Sequence, residues 1–132
     1  MKYPFGVMPT LFVLLVVPGA QADPIMECAN QSGNQVEIGA CLADIEKNVD
    51  AALEVALGFA MESAKELDTV TERKVVVAAL EAGQAAWSAY RDRHCEYAGS
   101  TFGGGSGTGI AIRGCRIELA RARTGALMKF TN

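Results

Sequence analysis

The chain has 132 residues, of which 50% are hydrophobic and 20% are charged, and its formal net charge is −3 at pH 7. This length predicts one domain with a small core. The acidic balance excludes a general nucleic-acid binder, since such proteins present a basic surface to phosphates; without Lys2 the charge is about −4.

The first 22 residues have the pattern of a cleaved signal peptide. Lys2 precedes an apolar run at residues 11–17, and Ala20-Gln21-Ala22 fits the small-x-small cleavage rule. The run is much shorter than the ~20 residues of a membrane span, so we expect no stable membrane insertion. The large residues at positions 25–27 argue against a lipidation site at Cys28. The sequence therefore predicts a signal peptide at residues 1–22, one domain at residues 23–132, and a periplasmic or secreted protein.

Export and four cysteines together predict two disulfide bonds. Four cysteines permit three pairings. The local one, Cys28–Cys41 with Cys95–Cys115, is favoured because each pair flanks a short polar or glycine-rich segment. The spacings match no close Cys-x-x-Cys ligand pair, so we expect no metal site and no cofactor.

Apolar residues at helical spacing predict a long first helix over residues 38–67, after a loop at residues 23–35 that Cys28 holds in place. The opposite side of this helix is acidic. Its apolar stripe comprises Ile38, Leu42, Ile45, Val49, Ala52, Ala56, Ala60 and Leu67.

A second helix is predicted to run to about Tyr97, opened by Thr69 and Glu72 in capping-box spacing. Gly83 inside it indicates a close approach of another helix, because glycine costs about 1 kcal/mol relative to alanine in a helix interior. The inward stripe comprises Val76, Leu80, Gly83, Trp87, Tyr90 or Arg91, and His94.

A third helix is expected to begin between Gly109 and Cys115 and to end near Phe130. Its polar side is basic and complements the acidic first helix where the two are neighbours. Asp92 of the second helix is placed to pair with Arg123 of the third. The apolar stripe comprises Cys115, Leu119, Ala122, Ala126 or Leu127, and Phe130. These elements predict an all-α fold, a small antiparallel three-helix bundle stapled by two disulfides.

The sequence lacks the groups of an enzyme site. With the cysteines oxidised, no serine has histidine and carboxylate at a recognisable spacing. The single histidine, His94, falls on the inward stripe, which indicates a packed or interfacial imidazole. Acidic pairs one turn apart, such as Glu46 and Asp50, are typical of solvated helix faces. We therefore expect no catalytic residues.

A glycine loop at residues 103–109 separates the last two predicted helices. It lacks the lysine of a phosphate-binding loop. Two interpretations stay open: a flexible connector, or a protruding recognition loop whose hydroxyls and amides contact a partner. The candidate partner-binding residues are Gly103, Gly104, Gly105, Ser106, Gly107, Thr108 and Gly109.

Trp87, Arg91 and Cys95 are spaced four apart and therefore share one helix face. An arginine between a tryptophan and a disulfide is partly desolvated, so it needs a carboxylate partner. Asp50 on the first helix is the first choice for that partner and Glu54 the second.

A longer set of residues, spread over nearly all of residues 23–132, carries a resemblance to a known family. It comprises Asp50, Leu53, Gln84, Trp87, Tyr90, Arg91, Asp92, Cys95, Gly104, Gly105, Ser106, Cys115, Leu119, Arg123 and Leu127. In this motif the chain resembles the LprI-like N-terminal domain family, small exported bacterial proteins named for a lysozyme inhibitor. It departs from the family pattern at Glu54, Leu57 and Ala120, where the family usually has asparagine, an aromatic residue and threonine.

The resemblance implies an exported binding protein that is not an enzyme and that inhibits a lysozyme-like muramidase. A lysozyme cleft works with two carboxylates, which the donor-rich glycine loop would approach, and an acidic helix face would steer a basic lysozyme. The alternative is a structural or stress-related envelope protein with no enzyme target, in which the motif serves only the fold. The sequence leaves the oligomeric state open.

Overall fold

The computed structural model describes residues 22–131, which form four helices and no strand within that range. α1 is Pro24–Ala29, α2 is Gln35–Thr71, α3 is Val76–Ser100 and α4 is Gly107–Met128. The three long helices confirm the predicted all-α bundle, and α1 adds a short fourth helix. The predicted signal peptide lies outside the described residues, except for Ala22.

The three long helices alternate in direction along the chain. Asp50 of α2 binds Arg91 of α3, and Asp68 binds Val76 beside the α2–α3 connection, so these two helices are antiparallel. α4 packs against both of them, most extensively against α2. The contacts that make α3 and α4 antiparallel are Gln84–Arg123 and Cys95–Cys115.

The segment predicted as a loop at residues 23–35 contains α1. The Asp23 carboxylate accepts a hydrogen bond from the Ile25 backbone N–H at 2.9 Å, and Pro24 occupies the first position, where no N–H is needed. Pro24 is fully buried. The loop prediction was wrong because six residues are too few to show a hydrophobic period, although Asp-Pro is a helix-start signal.

The α2–α3 connection is capped in a way that the sequence did not indicate. The Asp68 carboxylate accepts hydrogen bonds from the backbone N–H groups of residues 75–77 at 2.8 to 3.0 Å. These bonds, with Val76 the largest contributor, lower the pKa of Asp68 below its ordinary value of 3.8, against an opposing effect of desolvation. The predicted capping box was wrong: Thr69 donates back to the Lys65 carbonyl, and Glu72 ends α2 with φ 54°.

The core consists of two clusters rich in small side chains. One comprises Leu53, Ala56, Ala60, Ala120 and Leu127, and the other comprises Cys28, Leu42 and Ile117. Small residues let the helix backbones approach one another, so a thin core still excludes water. The clusters lie one above the other along the α2–α4 contact and hold the bundle together.

Two helices face the core with different rows than predicted. α4 buries Ala111, Gly114, Ile117, Ala120 and Leu127, while Ala122 and Phe130 of its predicted stripe are exposed. On α3, Arg91 is buried, whereas Tyr90 and His94 are exposed. The inward face of α4 therefore combines small residues with two large ones, Ile117 and Leu127, and of these the predicted stripe included Leu127.

Close helix approach occurs at two glycines other than the one predicted. A Cβ atom at Gly83 would have no neighbour within 4 Å, so that expectation was wrong. A Cβ at Gly99 would lie 2.5 Å from Cγ1 of Ile112, and one at Gly114 would lie 2.7 Å from Cγ1 of Ile25. These glycines bring α3 and α1 against α4.

Candidate functional site

Both predicted disulfides are present. The Cα atoms of Cys28 and Cys41 are 5.8 Å apart, and those of Cys95 and Cys115 are 5.5 Å apart. The first bond joins α1 to α2. The second joins the end of α3 to the start of α4, so it fixes both arms of the helical hairpin that carries the glycine loop.

Arg91 connects all three long helices. It is only 8% exposed, and its Nη2 atom lies 2.7 Å from Oδ1 of Asp50, which confirms the first-choice partner. Its Nε donates to the Arg116 carbonyl of α4 at 3.2 Å. Its guanidinium also lies 5.6 Å from the ring centroid of Trp87, within cation–π distance. Glu54, the second-choice partner, is exposed.

Arg123 binds elsewhere than predicted. Its Nε donates to Oε1 of Gln84 at 3.0 Å, and its guanidinium lies 5.9 Å from the Trp87 ring, on which two arginines therefore converge. Asp92 pairs instead with Arg116, Oδ1 to Nη2, at 2.9 Å. The predicted Asp92–Arg123 pair was wrong because the two residues lie at different levels of the α3–α4 contact, which is set by the antiparallel register.

Two acids on the α2 face, Glu46 and Asp50, are paired with arginines of α3 and α4. Glu46 accepts a hydrogen bond from Arg113 at 2.7 Å, and its other oxygen lies 3.3 Å from Nε of Arg116 without hydrogen-bond alignment. Asp50 is held by Arg91. The predicted charge complementarity of the first and last long helices is therefore confirmed. Of the three acids expected to form an attractive face, Glu54 alone points to solvent.

The glycine loop is shorter than predicted. α4 begins at Gly107, so residues 107–109 form its first turn, and the connection proper is residues 101–106. All six residues of that connection are exposed. Gly103 has φ 66° and Gly104 has φ 82°, values that residues with side chains rarely adopt. The connection is thus a short turn of six residues that uses glycine where the backbone has positive φ.

The α4 N-terminus in this turn has no side-chain cap. Ser106 occupies the cap position in a helical conformation and makes no capping hydrogen bond. The first turn contains no acidic residue. Backbone N–H groups at a helix start carry partial positive charge and favour an anionic partner. The turn therefore carries no negatively charged side chain, and its N–H groups at Gly103, Gly105 and Thr108 already donate to carbonyls of residues 100–105.

Aromatic side chains extend from this turn along the outer face of α3. We call Tyr90, His94, Tyr97 and Phe102 the aromatic stripe. The rings of Tyr90 and His94 stack with centroids 5.1 Å apart, and Tyr97 is 67% exposed. His94 is thus a surface residue, so of the two expectations for its imidazole, packed or interfacial, the packed one was wrong. The sequence prediction also missed Phe102, which lies against the position of a Gly107 Cβ, at 3.0 Å.

Within residues 22–131 no cluster of three metal-binding side chains exists, and none of the helices there is long and apolar enough to cross a membrane. The charged side chains described above form ion pairs between helices or cap a helix end. What the arrangement offers chemically is a surface for binding: an uncharged tight turn at the end of a crosslinked hairpin, flanked by exposed aromatic rings.

Comparison with known proteins gives the chain its family. An uncharacterized protein of Rhizobium meliloti (strain 1021) is 34% identical over 128 residues, and the match covers 90% of each chain. No solved structure matches. The family described as lysozyme inhibitor LprI matches residues 26–127, a range that holds both disulfides and the Arg91–Asp50 pair. The chain therefore belongs to the LprI lysozyme inhibitor family.

Proposed function

We propose that this protein is exported, loses residues 1–22, and inhibits a lysozyme-like muramidase in the periplasm or outside the cell. The family description supports the inhibitor activity, and two disulfides are typical of a protein that folds in an oxidising compartment. On this proposal the protein binds its target without catalysing a reaction, and the glycine loop at residues 103–109 is the part that enters the cleft.

The observation that carries the loop assignment is the uncharged, exposed turn at the end of the crosslinked hairpin. Residues 97–112 contain no charged side chain. A cleft with two catalytic carboxylates favours backbone N–H donors, and charge-assisted hydrogen bonds of this kind are stronger than neutral ones. The start of α4, which has no side-chain cap, would supply such donors, apart from the Thr108 N–H, which already donates to the Gly105 carbonyl. The Cys95–Cys115 bond ties together the two helices that carry the turn, which lowers the conformational entropy lost on binding.

The aromatic stripe supplies contact area that glycine and serine lack. Tyrosine side chains are frequent binding hot spots, and they combine with serine and glycine in antibody paratopes for the same reason: large rigid rings beside adaptable polar turns. Tyr97, at the end of α3, and Phe102, within the connection between α3 and α4, are both exposed. They would contact the rim of the cleft while the turn occupies its centre.

The competing binding surface on α2 has weaker support than the turn. Its acids were expected to attract a basic lysozyme, but Glu46 and Asp50 are paired with arginines of the same chain. A salt-bridged carboxylate exerts little net field at a distance. Glu54 remains as the unpaired member of that set, and one charge steers association weakly.

The test is the turnover of a basic animal lysozyme on a peptidoglycan suspension, with and without the purified, oxidised protein. Gly105→Glu places a negative charge at the turn, at a position where a Cβ has only an ordinary contact, 3.7 Å from the Phe102 carbonyl. We expect this variant to lose inhibition, because its carboxylate would face those of the cleft.

Gly125→Glu is the matched control, since Gly125 is exposed on α4 and a Cβ there has no neighbour within 4 Å. It should inhibit like the parent protein. Equal inhibition by both variants would remove the turn from the interface. A parent protein without any effect on lysozyme turnover would favour the alternative, a structural or stress-related envelope protein.

A further inference from the structure

The bundle is incomplete at the end opposite the glycine loop. α4 ends at Met128, and its Leu127 packs beside Ala60 of α2 in the core. α2 continues to Thr71, which is about three more turns. The last turns of α2 and the first turns of α3 therefore form a two-helix hairpin without the third helix that covers them elsewhere. We call this part of the molecule, residues 61–84 with the end of α4, the hairpin end.

The uncovered hairpin bears an apolar groove of about 600 Å³. Ala64, Leu67 and Leu80 line its floor and walls, and Val70 and Phe130 stand at its edge with 75% and 76% of their surface exposed. Phe59 and Met128 are exposed close by, on the adjoining face of α2 and α4. Apolar residues concentrated in this way mark an interaction surface, because isolated exposed side chains would be scattered.

The charges on the groove indicate what covers it. One acid, Glu66, and one base, Lys129, line the groove, and they do not form an ion pair with each other among residues 22–131. A surface with one charge of each sign is complementary to its own copy rotated by a two-fold axis, since the acid of each copy then faces the base of the other. Phe130 and the groove are complementary in the same way, because the exposed ring of one copy can enter the open groove of the other.

We propose that the hairpin end is a homodimer interface. Two copies pack their uncovered α2–α3 hairpins face to face as a four-helix arrangement, with Phe130 of each copy in the groove of the other and Glu66 paired with Lys129 across the axis. The pairing supplies to each copy the helical cover that α4 does not provide. This interface is separate from the glycine loop and does not depend on lysozyme inhibition.

The experiment is sedimentation velocity of the purified, oxidised full chain over a range of concentrations, without lysozyme. We expect reversible dimers. Val70→Glu should raise the dimer dissociation constant by at least about tenfold, because it buries a charge that faces its own copy near the axis. Val36→Glu is the matched control: Val36 is 83% exposed on the same helix, at the opposite end, and its substitution should leave the dimer unchanged.

A charge exchange tests the two-fold geometry. Glu66→Lys and Lys129→Glu should each weaken the dimer, and the double variant should restore it, because the pair is re-formed with reversed signs. Both side chains are exposed, so these variants are expected to fold, which circular dichroism checks. A monomer at all concentrations, equal dissociation by the Val36 control, or a double variant no better than the singles would overturn the proposal. So would a monomer whose Val70→Glu form loses lysozyme inhibition, since the groove would then hold the enzyme.

Discussion

Both disulfides lie in the half of the molecule that carries the glycine loop, and the hairpin end has none. The loop half also contains the buried Arg91, the Glu46–Arg113 ion pair and the close approach of α4 at Gly99. At the hairpin end, α2 and α3 are joined by the Asp68 cap and little else, and apolar side chains are exposed.

The two halves of this small domain are stabilised by different kinds of interaction. The crosslinked half uses disulfides and ion pairs to hold a glycine-rich turn that has few side chains with which to pack. The hairpin end leaves apolar surface uncovered, and such surface is stabilised when a partner buries it. We expect the two halves to respond differently to substitution, and three predictions test this.

The largest effect is expected at Arg91. Arg91→Ala removes the partner of Asp50, the bond to the Arg116 carbonyl and the contact with Trp87. The loss should be about 2 kcal/mol, between the about 0–1 kcal/mol of an exposed ion pair and the about 3–5 kcal/mol of a fully buried one, because Asp50 is partly exposed. Urea unfolding measures it. Arg93→Ala, an exposed arginine two residues along α3, should change the free energy of unfolding very little. Equal effects would show that Arg91 does not organise the bundle.

An intermediate effect is expected at two glycines of α3, where substitution by alanine should destabilise the protein at one position and stabilise it at the other. Gly99→Ala forces a Cβ to within 2.5 Å of Ile112. Overpacking costs about 1–3 kcal/mol, and we expect about 1 kcal/mol here because Ile112 is only partly buried. Gly83→Ala meets nothing within 4 Å and should stabilise the protein by about 0.5–1 kcal/mol, because alanine is the better helix former. Thermal unfolding of the two variants side by side decides it. A stabilising Gly99→Ala would mean that the α3–α4 contact is looser than described.

The smallest effect is a pH dependence at the hairpin end. The pKa of Asp68 is lower in the folded protein than its ordinary value of 3.8, because the ionised carboxylate accepts three backbone hydrogen bonds. The folded state therefore takes up the proton less readily than the unfolded chain. The stabilisation is complete above the ordinary pKa and is lost as the pH falls through the lower, folded value.

The measurement for that prediction is the difference in unfolding free energy between the parent and Asp68→Asn, from about pH 7 down to about pH 2.5. We expect the parent to be more stable at neutral pH and the difference to shrink in acid. Asp44→Asn, an exposed aspartate of the same helix, is the control and should show no such convergence. A difference that stays constant with pH would exclude the charge of Asp68 as its source.

Sequence alone sufficed where local spacing decides the outcome. The disulfide pairs follow from which segments the cysteines flank, and the Arg91–Asp50 pair follows from placing Arg91 on one helix face between Trp87 and Cys95. Spacing along one helix is nearly independent of what else packs against it. Spacing thus predicted that Arg91 needs a carboxylate and narrowed the choice to Asp50 or Glu54, whereas its bond to the Arg116 carbonyl was not predicted.

Features that depend on the rotation and register of neighbouring helices were not predictable in the same way. On α4 a row of mixed small and large residues, Ala111 to Leu127, competes with the predicted stripe, and only packing against the other helices selects it. Asp92 meets Arg116 rather than Arg123 because of the α3–α4 register. Asp68 caps a helix seven residues ahead of it, across a connection whose geometry no short motif encodes. Tertiary contacts also draw Gly107 and Gly109 into a helix against their low propensity.

The length of α2 has a consequence for the stoichiometry of binding. At 37 residues it is about 55 Å long, and it separates the glycine loop at one end of the molecule from the hairpin end at the other. Two copies joined at their hairpin ends would carry their loops at opposite extremes, too far apart for one enzyme molecule to engage both. A soluble lysozyme would then gain no avidity from the pairing. Lysozyme molecules bound close together on a cell wall would be held with avidity. Once one loop of a dimer has bound an enzyme molecule, the other loop is at high local concentration near a neighbouring enzyme molecule.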